Sequence, residues 1–397
     1  MSQETTFFEA ERHAPVPLWR DIRVLRVAAQ AVFVVFVVML GAWLISNLLN
    51  ALDTLGLNLG FGFMQRTSGI RVSEGPTLVR SDPYWRAYVV GVVNSVRVIS
   101  IGLVLTTIVG VAAGVAQLST NWLVRTLVNI FVEVFRNTPL LVQLFFWYFA
   151  VILKLPALED SIELPGPTYI SQRGIFIPWP EPARGFTVWL FFVVAGLVLA
   201  VVAFVVRRRR KMNTGLDSHA GLVAAVPLLG LPLLGWLAVP GRPFLVSTPE
   251  IAGYGATGGT QLTPEFAAIL FGLAVYTAAF IADIVRAGIQ AVPYGQIEAA
   301  RAVGLSDLEV MRLVVLPQAM RVIIPPLGNQ YLNLAKNSSL AIGVGYPDLY
   351  AVSNTIFNQS GQAVQVIALV MGTYLVMSLL ISAFMNFINA RLRIVER

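Results

Sequence analysis

Glu298-Ala-Ala-Arg-Ala-Val-Gly304-Leu-Ser306-Asp-Leu-Glu309, running on to Leu316-Pro317-Gln318, is the stretch on which the reading of this chain turns. It lies between two strongly apolar segments and has the layout of two short helices. The first runs to Gly304, whose missing Cβ suits a left-handed C-cap; the second opens at Ser306, with Glu309 at capping-box spacing. Pro317, which has no N–H to donate, is expected to close the second helix. Ala299, Ala300 and Gly304 put small side chains on the first, leaving room for another protein's backbone. Three readings compete: a solvated connector, a DNA-binding helix-turn-helix and a docking surface. Context counts against the second, because a recognition helix held between two bilayer-spanning segments could hardly reach a major groove.

Composition sets the class. Hydrophobic residues make up 56% of the 397 and charged ones 12%, about half the charged share of soluble domains, and the mean hydropathy is +0.73. The chain reads as a polytopic membrane protein lying in a lipid bilayer. Its net charge of +7 comes largely from arginine, since lysine occurs only at 154, 211 and 336; that charge belongs on the cytoplasmic side rather than on a nucleic-acid surface. With no cysteine, and with His13 and His219 isolated, neither a disulfide nor a metal cluster is expected.

Residues 1–26 are polar and end in Arg20, Arg23 and Arg26 before the apolar run 27–46, a retained first helix entering from the cytoplasm. The following loop carries Arg66, Arg71, Arg80 and Arg86, more basic than the positive-inside rule favours outside. A second span covers 88–119, with Arg97 expected to snorkel at its outer end. A third covers about 127–152 and holds Glu133 and Arg136 on one face, with Pro139 breaking the hydrogen-bond ladder. Spans over 187–206 and 221–239 flank Arg207-Arg-Arg-Arg-Lys211, and these five cations fix the sidedness of the chain. Spans over 266–285, 322–344 and 363–388 follow, the chain ending in Arg391, Arg393 and Arg397. The fold expected is therefore an all-α polytopic membrane protein of about eight transmembrane helices, with both termini cytoplasmic.

Several of these stretches resemble ABC-importer permeases of the polar amino acid uptake family. They are Arg136-Asn-Thr-Pro-Leu-Leu-Val-Gln143, Ala282-Asp-Ile-Val-Arg286-Ala-Gly288, Tyr294-Gly-Gln-Ile-Glu298-Ala-Ala, Leu316-Pro-Gln-Ala319, Lys336-Asn-Ser-Ser-Leu340 and Pro347-Asp-Leu349, in that order. Asp283 stands where the family ordinarily has Glu. The resemblance implies a five-helix type I importer core in two parts, 88–152 and 264–397. To it are added an N-terminal region (1–87) with an extra helix and an insert (153–263) with a helical hairpin, expected to pack against the bundle. The extended layout resembles the longer permease subunits of general L-amino-acid importers.

The resemblance also implies that the loop 294–318 couples to a cytoplasmic ATPase through Gln296, Glu298, Ala299, Ala300, Gly304, Leu316 and Pro317. None of the three lysines follows a glycine, so the chain has no Walker A loop; ATP and magnesium belong to a separate ATPase pair, and no cofactor is expected on this chain. A single such loop implies a second permease subunit, making a heterodimer. A periplasmic amino-acid-binding protein and a bacterial inner membrane complete the assembly. Substrate-pathway candidates are Glu133, Arg136, Asn137, Asp283, Arg286, Asn329, Gln330, Lys336, Asn337 and Ser338, because ionisable groups within spans are costly unless used. Asp283 with Arg286, and Glu133 with Arg136, stand open between local pairs and pathway groups. Lys336 stands open between a ligand for a carboxylate and the counter-ion of a neighbouring helix. An ATP-independent carrier or channel with a regulatory loop is the alternative from another class; a membrane enzyme finds no nucleophile–base or metal constellation.

Overall fold

The computed structural model describes residues 21–54, 60–214, 219–238, 241–252 and 255–392; the polar start of the chain with His13 and Arg20, and Arg393 and Arg397, lie outside the described residues. Two compact units are present, residues 1–63 with 362–365, and residues 64–361 with 366–397. The first contains α1 (Ile22–Thr54), a long apolar helix. The second begins with α2 (Tyr84–Ala116) and α3 (Trp122–Asn137). Among the described residues seven helices are long and apolar enough to cross a membrane, and eight if a bent pair counts as one span.

That pair is the third span expected over about 127–152, broken where Pro139 was expected to interrupt its hydrogen-bond ladder. Helix α3 ends at Asn137, α4 (Leu140–Phe145) starts after Pro139, and the chain bends by 109° between them. Proline excludes the helical region for the residue before it, and Thr138 is extended (φ −101°, ψ 130°). The carbonyls freed by the break are recovered by one side chain: Gln143 Nε2 donates to Phe135 O (2.8 Å) and Thr138 O (2.9 Å). A π-helical turn (Phe146–Val151) continues α4.

The loops on either side of the inserted hairpin carry short strands that the sequence did not announce. In chain order these are β1 (Ile162–Leu164), β2 (Thr168–Ser171), β3 (Gly174–Ile177), β4 (Trp179–Pro182), then β5 (Phe244–Ser247), β6 (Glu250–Ala252), β7 (Gly255–Thr257) and β8 (Thr260–Leu262). Strands β1-β2-β3-β8 make one antiparallel sheet, with Ile170 opposite Ile175 and Ile175 opposite Leu262. Strand β4 pairs with β5 at the base of α5 (Phe186–Thr214) and α6 (Ala220–Ala238). Among the described residues these two helices pack along each other and form no extended contact with another helix. The hairpin is joined to the core, among the described residues, through the strands that flank it.

Helix α7 (Pro264–Gln290) is the centre of the second unit. Thr263 caps it by accepting from Phe266 N, and Pro264 occupies the first turn, where its missing N–H costs nothing. It packs on α2, α3, α4 and α10 (Leu316–Asn337). It runs parallel to α2: Arg97 stacks over Phe266 at one end, and Gly114 meets Ala282 and Val285 towards the other. A Cβ on Gly110 would lie 2.6 Å from Ile281 Cβ, and one on Gly114 2.7 Å from the Ala282 carbonyl oxygen, so the two backbones approach as closely as they do only because neither carries one.

At the N-terminal ends of α2 and α7 the core turns polar. Arg97 does not snorkel: it binds the buried Glu74 at 2.7 Å, and Glu74 also accepts from the Thr263 hydroxyl. Asn94 Nδ2 donates to Glu74 O (3.0 Å) and Pro347 O (2.9 Å). Asp348 caps α11 (Leu349–Ser360) through Ala351 N (2.8 Å), and Tyr374 of α12 (Ala363–Leu392) donates to its other oxygen at 3.2 Å. Asp348 lies between two spans, and burial pushes its carboxyl up to about 7, against the lowering pull of the Ala351 and Tyr350 N–H groups. A native carboxyl raised above its unfolded value of 3.8 contributes stability that is present at low pH and lost as pH rises through about 7. The solubilised protein is therefore expected to lose on the order of 1 kcal/mol of stability between pH 6 and 8. Asp348→Asn, which keeps the cap, should flatten that slope in thermal unfolding followed across this range.

Candidate functional site

Two groups of residues are built for work, one at the end of α7 and one along α10. The first is the turn from α7 into α10. Helix α8 (Tyr294–Ala302) is followed by Gly304 at φ 87°. Gly304 N donates to Arg301 O (3.0 Å) and Leu305 N to Ala300 O (3.3 Å), the paired bonds of a Schellman C-cap. Helix α9 (Asp307–Glu309) opens with a complete capping box: Ser306 N donates to Glu309 Oε2 at 2.9 Å, and Ser306 Oγ lies 2.7 Å from the same oxygen. Arg301 clamps the turn by binding Asp307 Oδ1 at 2.9 Å.

The second short helix does not end at Pro317. It continues through a π turn (Val310–Val315) into α10, and Pro317 falls in the first turn of α10, where a wider ladder already leaves N–H groups without partners. The turn is joined to the bundle by one apolar cluster in which Val292, Ala300, Val310 and Val315 meet Ile281 and Val285 of α7 and Ala319 and Ile323 of α10. Ala300 therefore faces inward. Gln296, Glu298, Ala299, Gly304, Leu316 and Pro317 are exposed. Between them project two side chains that sequence reasoning missed, Val303 at 77% and Leu308 at 78% exposure. They flank Gly304, and their position in an otherwise polar turn was the available signal.

The second group is a face of α10. Val322, Pro325, Asn329, Asn333 and Lys336 are all exposed and recur at gaps of three or four residues, so they form one stripe along the helix. Gln330 and Asn337 lie half-buried at its edge, while Ser338 is buried and donates to Ala335 O (2.8 Å). Beside the stripe a crevice of about 200 Å³ opens between α10 and α12, lined by Asn329, Ser382, Asn386 and Asn389 among others. The α12 members were missed because the run around them reads as apolar. Lys336 makes no ion pair among the described residues. A lone lysine in hydrocarbon costs about 2.5–3.5 kcal/mol at the centre of a helix on insertion scales, so a polar neighbour suits this stripe better than lipid.

Nearer the loop, α3 and α7 bring Arg136, Asp283 and Arg286 together. Arg136 crosses to Asp283, Arg286 joins it at 3.3 Å, and the Arg136 guanidinium lies 5.2 Å from the Phe280 ring centre. Glu133 and Asn137 stay exposed, and Glu133 is not the partner of Arg136. Among the described residues no ion pair links this triad to Lys336.

Residues 106–394 match the family described as binding-protein-dependent transport system inner membrane component. The chain belongs to that family. The putative amino-acid ABC transporter permease YhdX of Escherichia coli strain K12 is 43% identical over 93% of this chain and 94% of its own length. The general L-amino acid transport system permease AapQ of Rhizobium johnstonii is 44% identical over 85% of this chain and 84% of its own. The glutamate/glutamine/aspartate/asparagine permease BztB of Rhodobacter capsulatus is 33% identical over 89% and 90% respectively. This is a multi-pass membrane permease of an ABC transporter.

For a permease, the α10 stripe yields a direct test. Lys336→Met is expected to leave assembly intact and to lower uptake by about tenfold or more, as when a charged hydrogen-bond partner is removed, while Lys336→Arg keeps part of it. Parental uptake by the Met variant would show that Lys336 neither holds substrate nor serves as a needed counter-ion.

Proposed function

We infer that the chain is the transmembrane subunit of an ATP-driven importer of polar or general L-amino acids, coupled to a separate ATPase through residues 294–318. The observation that carries this reading is the turn itself. A short helix pair is locked by a Schellman cap, a capping box and an ion pair, is joined to two spans by a continuous apolar cluster, and still presents Val303 and Leu308 to solvent. Exposed apolar groups on a rigid polar turn suit a groove on a partner protein, and the cluster beneath carries a push on the turn into α7 and α10. The amino acid class is supported by the names of relatives aligned over most of their length.

The same reading assigns the turn, both chain termini and Arg207–Arg210 to the cytoplasm of a bacterial cell, within its inner membrane. ATP and magnesium are held by the ATPase pair, a second permease subunit faces the α10 stripe, and an extracytoplasmic amino-acid-binding protein delivers substrate. In the pathway between the subunits, Lys336 meets the substrate carboxylate and the amides of Asn329 and Asn333 meet its remaining polar groups. Asp283 holds Arg136 and Arg286 together near the cytoplasmic end.

Gly304→Asp tests the coupling role. A Cβ at this left-handed position costs about 1–2 kcal/mol, yet one placed there meets no atom within 4 Å, so insertion and assembly are expected to survive. Stimulation of ATP hydrolysis by loaded binding protein should be lost, because a charge is brought into the contact. Parental stimulation in this variant would count against the turn as the coupling element.

A further inference from the structure

The importer reading leaves one feature unused, the cationic loop before α2. Residues 64–86 contain Arg66, Arg71, Arg80 and Arg86 but only two acids, Glu74 and Asp82. Both acids are consumed internally. Glu74 is buried against Arg97 and Thr263, and Asp82 accepts from Val79 N at 2.7 Å and binds Arg86 at 2.9 Å. Arg66, Arg71 and Arg80 are exposed, and their guanidinium groups have no partner among the described residues.

The segment that carries them is fixed. Ser68 N donates to Asp82 O (2.9 Å), Gly69 N to Arg80 O (3.2 Å), Tyr84 N to Arg66 O (3.0 Å) and Asn94 Nδ2 to Glu74 O (3.0 Å). Ser68 and Ile70 are buried beneath it. The three cations therefore stand on a platform whose backbone is already ordered, so binding through them loses little conformational entropy. The platform lies at the end of α2 remote from the coupling turn, the extracytoplasmic end in the importer reading. Free arginines in a short loop on that side oppose the positive-inside tendency, so they call for a use there. Guanidinium groups suit carboxylates through paired N–H donors and raise encounter rates with anionic surfaces.

We propose that Arg66, Arg71 and Arg80 form the landing site for an acidic face of the solute-binding protein; the proposal rests on the importer reading. Protein is favoured over lipid headgroups because the family to which this chain belongs depends on a binding protein, and no other partner is required at this end of the molecule.

The test uses the complete importer, purified with its own partners in nanodiscs of zwitterionic lipid, and titrates it with binding protein loaded with L-glutamine while ATP hydrolysis is followed. The variant Arg66→Gln/Arg71→Gln/Arg80→Gln is expected to need about five- to tenfold more binding protein for half-maximal stimulation at roughly 50 mM salt, with the difference vanishing near 0.5 M as screening removes it. The maximal rate should be retained, and basal hydrolysis reports assembly. Equal half-saturation at low salt overturns the proposal. A difference that arises only when anionic lipid is added assigns the arginines to headgroups and overturns it too. Arg71→Cys, in a chain with no native cysteine, separates this from failure of the topology. Labelling by an impermeant thiol reagent in intact cells is expected, and an unlabelled thiol would place the loop inside and remove the importer orientation itself.

Discussion

The close approach of α2 to α7 at Gly110 and Gly114 is the constraint on which the rest of the second unit depends. Between membrane helices there is no hydrophobic driving force, so association rests on surface complementarity and on polar contacts that lipid cannot supply. Both are present along this one contact. Small residues bring the backbones together towards the turn after α7, and at the other end Arg97, Glu74 and Thr263 join α2, the preceding loop and the start of α7 in one buried network. With α7 fixed in this way, its far end positions the turn over residues 294–318 through Val285 and Val292, and its face receives α3 through Asp283 and Arg136.

Much of this was legible in the sequence because it is local. The capping box at Ser306 and Glu309, the left-handed Gly304 and the break at Pro139 each depend on neighbours a few residues away, and each follows from backbone chemistry. The spans followed from apolar length. What sequence reasoning missed is long-range. Arg97 seemed free to snorkel because Glu74, its partner, lies in a loop 23 residues earlier, and nothing in the pattern shows that the loop folds back. Arg136 was read against Glu133 on its own helix, whereas the closer carboxylate is Asp283 on α7. Pro317 was read as a stop, because a π turn that accommodates it leaves no trace in residue spacing. The strands of the insert are three or four residues long, too short for an alternating pattern to stand out, and β8 joins its sheet only by pairing across more than 80 intervening positions, Ile175 with Leu262.

The distribution of unpaired charge organises the functional account. Several ionisable groups near the spans are matched: Arg97 with Glu74, Arg86 with Asp82, and Arg136 and Arg286 with Asp283. Lys336 stands apart on the exposed stripe of α10, and Arg66, Arg71 and Arg80 stand apart on the loop before α2. The matched groups hold the bundle together, while Lys336, Arg66, Arg71 and Arg80 are the groups for which partners outside the chain are proposed. The apolar projections Val303 and Leu308 are exposed in the turn after α7.

The central claim is that this chain moves amino acids only when a partner hydrolyses ATP. The most direct test is to reconstitute the tagged chain, with whatever co-purifies in mild detergent, into sealed proteoliposomes. Uptake of labelled L-glutamine delivered by its binding protein is then followed with ATP, with a non-hydrolysable analogue and without nucleotide. The account predicts a co-purifying ATPase and uptake that requires hydrolysis. Equal uptake under all three conditions, by the chain without an ATPase, would contradict it and identify a passive carrier.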